Sequence, residues 1–462
     1  MMINTLLSAL LIATGPSSGH SDANLRTFAS VDSHSGGEEC AGPGGDPALL
    51  SDPARDDLTA RAELDLTVEA VRADLEGLRE RRFADELRIE LADREWLSDA
   101  IRGRWDSEHS LERIAQEEKV AKMLGMLPAE ASLREEELRI LEQATTFFDA
   151  DQAELYLLDR GAGASPFAVA IGLSEVLSQQ LFDERFGPWA ADATQASDAR
   201  WVQGAMRRGS AVSLLLQWAF ENLDGPPLAE LSEFQRSRAS LADSPPYVWR
   251  PALGSTLRGD SFLRRSTASR WISPPRLSDL DRVVTELPLS SEQVLHPDKY
   301  WTERHRDDPT EIRFGDVGEA DTGWTDSYQD TLGEVLLSIL TLPFADRSGV
   351  DPSLFSVRET RTTSEEAAGW DGDRVVLLEN AVASVVHLVS SWDSAGDADE
   401  FLEAIDDQRE DILDNLSRLG DGPFGMRAEV LSPTRVSLTT WMGTEASEVE
   451  ALLATIEVAY EG

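Results

Sequence analysis

Six histidines are the first residues to test for metal or acid–base chemistry: His20, His34, His109, His296, His305 and His387. No two are four apart, so no helix presents the paired imidazoles that hold zinc in a peptidase. The one cysteine, Cys40, lies in the stretch GGEECAGPGG with no basic neighbour to favour its thiolate, and a single thiol excludes an intrachain disulfide. Oxygen-only sites for hard cations remain, but among 85 Asp and Glu no cluster stands out by spacing. Gly15-Pro-Ser17-Ser-Gly19 fits the G-x-S-x-G pattern of a nucleophile elbow, yet it lacks the preceding strand and contains a proline where the turn leads into a helix. There is no G-x-x-x-x-G-K-[ST] loop, and Gly161-Ala-Gly163 is not a dinucleotide fingerprint. The twelve tryptophans read as core and domain-contact residues. The residue types alone therefore nominate no catalytic group, no metal ligand and no cofactor.

Longer segments carry more. LGMLPAEASLREEELRILEQATTFFDADQAELYLL, residues 124–158, resembles the opening of a family of zincin-like metallopeptidases, in which L-G-L-L-P leads to F-Y-D-P-x-x-x-x-L-Y-V. Ser291-Glu-Gln-Val-Leu-His296-Pro297-Asp-Lys299-Tyr300 is similar to that family's S-T-E-Q-x-L-H-P-x-K-Y segment. Gly369-Trp370-Asp-Gly-Asp373-Arg374 and Trp392-Asp393 resemble its G-W-G-G-D-R and W-D elements. The resemblance spans roughly residues 65–410 and implies a zincin-like helical core with a small sheet. Related haloarchaeal proteins are described as surface proteins, which makes a surface or secreted location the implied one.

The family's catalytic helix carries H-E-L-T-H-A-L-Q-D-Q-H-F, followed by a V-E-G-D-A motif on the next helix. With Phe182-Asp-Glu-Arg-Phe186 set on Q-D-Q-H-F, Glu175 falls on the first metal histidine, Val176 on the general-base glutamate and Gln179 on the second histidine. Ala205 to Ala211 falls on A-L-V-E-G-D-A and puts Arg208 on the third ligand. Both imidazoles, the base and the third ligand are replaced, so the resemblance implies a pseudo-peptidase without catalytic or metal residues. Glu175 and Gln179 lie one helical turn apart on one face. Arg208 would bring a fixed positive charge to them, and a Glu175–Arg208 ion pair is expected to fill the site, with a loss of about 3 to 5 kcal/mol if it is broken.

The other motif residues have local readings. His296 precedes a proline in a turn and reads as a hydrogen-bonded structural histidine. Gly369 to Arg374 reads as a turn before a strand, its Asp-Gly supplying the positive φ. Asn415-Leu-Ser417 matches a glycosylation acceptor but sits in a helical pattern.

The elements that must position these residues follow from periodicity. Leu66, Ala70, Ala73 and Gly77 mark a helix, ELRIELAD a short strand, and residues 94–146 helices broken at Pro128. An Asp149–Gln152 turn leads into a strand at 154–158. Two apolar helices, about 167–186 and 198–222, are expected to be central. Residues 223–285, with paired prolines starting at 226, 245 and 274, should hold only short, broken helices. From Thr302 to about Gly323 the chain reads as loop and marks a domain boundary. Beyond it come a helix at 331–342, strands at GDRVVLLEN and SVVHLVSSW, a helix over DADEFLEAIDDQREDILDNL, a strand at RVSLTTW and a terminal helix.

The charge balance restricts partners. Across 462 residues, 42 Lys and Arg face 85 Asp and Glu, a formal charge of −43, which opposes approach to nucleic acid or anionic lipid. Only Lys119, Lys122 and Lys299 are lysines. Acid excess with scarce lysine suits molar salt, where the Debye length falls to about 3 Å; an acidic protein from an ordinary high-GC organism is the alternative source. The apolar run Ile3–Ala13 is shorter than the roughly 20 residues of a membrane span. It fits a signal-peptide core ending near Ala23, though without a preceding Lys or Arg; if it is not a signal, the protein is cytoplasmic.

The expected organisation is a leader and disordered spacer over 1–57, a zincin-like pseudo-peptidase domain over 58–305 and an α+β domain over 306–462. The expected class is α+β without a membrane span. The expected function is a non-catalytic surface or secreted protein of a halophile that binds a peptide or an envelope component. An active metal-dependent hydrolase with atypical ligands and a purely structural envelope protein are the rival readings.

Overall fold

The computed structural model describes residues 53–84, 87–161, 164–187, 195–223, 244–265, 275–315, 323–342 and 363–461. Helix α1 (Pro53–Arg79), starting inside the segment read as leader, is followed by strand β1 (Arg88–Ala92). Three helices, α2 (Arg94–Glu108), α3 (Leu111–Met123) and α4 (Leu133–Leu141), precede the β2 (Thr146–Asp149) and β3 (Glu154–Leu158) hairpin. Asp93, Ser110 and Ser132 each accept a hydrogen bond from the backbone N–H three residues on and so start these helices. β3 pairs antiparallel with β2 and parallel with β1.

Of the two helices expected to be central, α5 (Pro166–Phe186) lies on this small sheet and α6 (Ser197–Asn222) packs against α5. Ser165 caps α5 and Pro166 opens it, a position where the missing N–H costs nothing. Leu155 and Leu157 of β3, Leu173 and Val176 of α5, and Val212 and Leu215 of α6 form one buried cluster. This mixed helix and sheet arrangement agrees with the expected class.

The next segment departs from expectation. α7 (Pro246–Leu263) is one 18-residue helix although Pro251 lies inside it. Pro246 sits in the first turn, where proline is tolerated, and Pro251 forfeits one bond to the Tyr247 carbonyl. Contact with α6 compensates: a Cβ on Gly259 would stand 2.0 Å from the Ala205 oxygen and one on Gly209 2.3 Å from the Gly259 carbonyl carbon. The two backbones touch, and the Trp201 indole donates to the Pro251 carbonyl at 2.8 Å. Helix docking thus overrides the proline signal.

Helices α8 (Leu277–Thr285), α9 (Ser291–Leu295) and α10 (Asp298–Trp301) lead to β4 (Glu311–Phe314), a strand within the stretch read as loop. Strand β5 (Thr325–Asp330), helix α11 (Gly333–Leu340), strands β6 (Trp370–Glu379) and β7 (Ser384–Trp392), helices α12 (Ala395–Asp407) and α13 (Arg409–Leu419), strands β8 (Phe424–Ser432) and β9 (Arg435–Met442), helix α14 (Ala446–Leu453) and strand β10 (Val458–Glu461) complete the chain. The single helix expected over 397–416 is two, divided at Gln408. The expected terminal helix stops at Leu453, and β10 pairs antiparallel with β4, Val458 opposite Phe314. Each of these strands has four residues, too few for a period to register, and only their pairing fixes them.

The five-stranded sheet has the order β5-β6-β7-β9-β8, all antiparallel. One face carries Val375, Leu377 and Val386 into a cluster with Trp105, Met123 and Leu253, so one core crosses the boundary expected near 305. The other face packs Val376 and Leu378 against Ile312, Phe314 and Val449. Among the described residues no helix is long and apolar enough to cross a membrane.

Candidate functional site

Glu175 and Gln179 project from α5, one turn apart and half-buried, while Val176 is fully buried in the apolar cluster. Glu175 Oε2 accepts from the Thr146 hydroxyl of β2 at 2.8 Å. Arg208 of α6 donates from Nη1 to the Ser255 hydroxyl of α7 at 2.8 Å. Burial pushes the Arg208 guanidinium below its ordinary pKa, and the charge that works against this shift is Glu175. Glu175 and Arg208 are thus electrostatic partners, held by β2 on one side and α7 on the other.

The His296–Tyr300 segment has a different environment. Lys299 Nζ donates to Glu292 at 2.6 Å, to Asp307 at 2.7 Å and to Asp393. These three carboxylates offer oxygens within 4.8 Å of one another, the spacing of ligands around a hard cation, and the lysine ammonium stands among them. Burial opposes the charge on Lys299, but its hydrogen bonds to Asp307, Asp393 and Glu292 outweigh that and hold its pKa above the usual lysine range. Burial pushes the Glu292 carboxyl up to about 9, although the hydrogen bond from Lys299 works against that shift. Asp307 follows the 3₁₀ turn at Glu303–His305 and Asp393 follows β7, so one ammonium ties three chain segments together.

Around this cage lie more buried acids. His296 Nε2 is 3.0 Å from Glu334 of α11, which is fully buried and also accepts from the Thr363 hydroxyl. Asp198, in the first turn of α6, accepts the Ser291 N–H on both oxygens, and burial raises its carboxyl to about 8, with Asp373 and Glu334 adding repulsion. Asp373 of β6 accepts from the backbone N–H groups of Leu332 and Gly333 and from the Trp370 indole; burial brings it to about 6. Its acceptors organise the turn into α11. Tyr300, also buried, donates to the Glu286 carbonyl at 2.6 Å, and Pro297 precedes α10.

The turn at 369–374 is built otherwise than expected. The positive φ of +80° is at Gly369, where a Cβ would meet the Asp397 carboxylate at 2.6 Å. Gly372 lies within β6 at a bulge, and a Cβ there would stand 2.1 Å from the Thr310 oxygen. It is glycine because another strand passes, not because of its own dihedral.

Residues 321–450 match a family described as Domain of unknown function (DUF8575). No curated protein matches the chain, and no solved structure matches it. The matched stretch contributes Glu334, Trp370, Asp373, Arg374 and Asp393 to the network, while Asp198, Glu292, His296 and Lys299 come from outside it.

Sequence motifs found Lys299, His296, Trp370, Asp373 and Arg374 without assigning their partners. Asp198 and Glu334 were missed. Their signal was an acid set in an apolar helical stretch, as Glu334 is before Val335–Leu340. His387 is buried in β7 with Nδ1 2.8 Å from the Thr439 hydroxyl, and burial lowers it to about 4. His109 stacks on Trp105 with ring centroids 4.4 Å apart. Asn415 is buried and bridges α13 to the Lys122 and Leu127 carbonyls and the Ala129 N–H, a structural role that leaves its amide no access to a sugar. His20, His34, Cys40 and Gly15–Gly19 lie outside the described residues.

Proposed function

We propose that the chain is a non-catalytic, zincin-like surface or secreted protein of a halophile, a pseudo-peptidase whose former metal position is occupied by a side-chain cation. The observation that carries this reading is the Arg208 guanidinium, half-buried between α6 and α7, bonded to Ser255 and supported by the charge of Glu175 at the positions aligned with the ligand set. A fixed cation there repels a dication. Val176, fully buried among Leu155, Leu157 and Leu173, offers no acid or base where the family has its glutamate. The oxygen-rich cage at Glu292, Asp307 and Asp393 follows the same logic, with Lys299 in place of an ion.

Such a scaffold acts by binding or by packing in the envelope, with a peptide or an envelope component as partner. The acid excess excludes nucleic acid, and the leader-like amino terminus favours export.

Bound zinc per chain, measured on protein kept folded in molar salt and dialysed against a weak zinc buffer, tests this. We expect no stoichiometric zinc. One zinc per chain, lost on substitution of Glu175, would establish an active metal site with atypical ligands and sink the pseudo-peptidase reading.

A further inference from the structure

We propose that a cavity beside the edge of the five-stranded sheet binds a small carboxylate with an apolar body, and that Arg374 is the residue that receives its charge. The proposal does not rest on the pseudo-peptidase reading, since none of Glu175, Val176, Gln179 and Arg208 lines the cavity.

The cavity has a volume of about 500 Å³, within the range of small-molecule sites. It lies between β4, the β5–β6 edge and the start of α6. Leu289, Ile312, Phe314 and Trp370 give it apolar walls, and Gln329 and Arg374 share a side. Five charged residues line it, and four are already satisfied. Asp198 accepts the Ser291 N–H on both oxygens, and burial raises its carboxyl to about 8. Asp373 accepts three N–H groups. Glu311 and Arg313 neutralise each other at 2.7 Å, with Glu461 also near Arg313.

Arg374 is different. Its Nε and Nη2 both donate to Gln329 Oε1, at 3.1 and 3.0 Å. The amide is oriented by its own donation to Asp326, so its oxygen must face the guanidinium. Among the described residues no carboxylate oxygen comes within 4.0 Å of Arg374. A neutral amide thus fixes the direction of the guanidinium without cancelling its charge, and three of the five N–H donors remain for a ligand. Asp326 and Glu311 feel this charge from a distance, but in a chain of net charge −43 the contact of the guanidinium is a neutral amide. A planar, singly charged carboxylate fits this fork. A phosphate dianion would meet the field of the surrounding acids with one arginine to offset it. The apolar walls then set the body of the ligand.

Two sources share this chemistry, a free small acid and the carboxyl end of a peptide. Calorimetric titration of the full chain at one fixed salt concentration, with benzoate, benzamide and benzylamine, tests the shared part. We expect benzoate to bind one per chain and benzamide and benzylamine to bind at least about tenfold more weakly. Arg374→Gln should abolish the difference between benzoate and benzamide, whereas Arg374→Lys, which keeps the charge but not the fork, should retain part of it. Equal binding of the three probes by the wild type, or no binding of benzoate, overturns the proposal without recourse to any variant. So does a folded Arg374→Gln protein that still prefers benzoate. Acetyl-leucyl-phenylalanine as free acid and as amide then separates the sources: a preference for the free acid that exceeds that for benzoate assigns the site to peptide ends, and a weaker one to small acids.

Discussion

Arg208 and Lys299 are both cations set among packed elements, but the protein treats their charges in opposite ways. Arg208, between α5, α6 and α7, is supported by Glu175 and by a serine hydroxyl, and burial depresses its pKa. Lys299, at the junction of the helical part with the large sheet, has three carboxylates, and its charge is over-secured. The first site carries a cation that the surroundings barely sustain. The second gathers acids around a cation in a buried setting, and that burial pushes Glu292 up to about 9 although Lys299 donates to it, and the neighbouring Asp198 to about 8. In a chain this acidic, where a cation sits matters less than how many carboxylates compete for it.

The largest expected effect comes from removing the over-secured cation. Lys299→Met leaves Glu292, which is 1% exposed, beside two further carboxylates, and should cost about 4 kcal/mol in denaturant unfolding at molar salt. Acidification should restore part of the loss by protonating the trio. A Lys299→Met protein as stable as wild type at neutral pH would break the comparison at its stronger end.

Arg208→Ala should cost less, about 3 kcal/mol, because the variant loses the partner of Glu175 but also relieves the burial of the guanidinium itself. Pairing it with Glu175→Gln in a double-mutant cycle isolates the coupling. Additive losses would mean that the two side chains do not interact and that the site is filled by packing alone.

The smallest effect is in the pH dependence. The Asp198 carboxyl titrates near 8 in the folded protein and near 3.9 when unfolded. Between these values the folded state holds a proton that the unfolded state has released, so this contribution to stability is lost as pH rises from about 4 to about 8. His387, lowered to about 4, acts in the opposite sense, and its contribution is lost as pH falls from about 6.5 toward 4. Asp198→Asn should flatten the alkaline slope by about 1 to 2 kcal/mol between roughly pH 6 and 8, measured by urea midpoints. An unchanged slope would show that the junction's proton resides elsewhere in the acid cluster.

Much of this organisation was legible in the chain before folding. The apolar runs of α5, α6 and the Val-rich β6 and β7 are long enough to declare themselves, and the polar Asp149–Gln152 stretch declares a turn. The 291–300 and 369–374 segments could be singled out as motifs. The placement of Glu175 and Gln179 on one helical face followed from their spacing of four. What spacing could not give was the partner of any of these side chains. Lys299 meets Asp393 across 94 positions and His296 meets Glu334 across 38.

Composition and local periodicity therefore determined α5, α6, β6, β7 and β9 and the acidic character, because these depend on residues near in sequence, while the nine-residue β8 was not foreseen. Tertiary structure alone decided that α7 runs unbroken past Pro251, since it rests backbone to backbone on α6. It decided that the last residues form a strand, because β4 offers an edge to pair with. It also decided that Lys299 meets three carboxylates while the Arg374 guanidinium, among the described residues, donates to the Gln329 amide, because a side chain's electrostatic neighbours are set by which distant segments the hydrophobic core brings together.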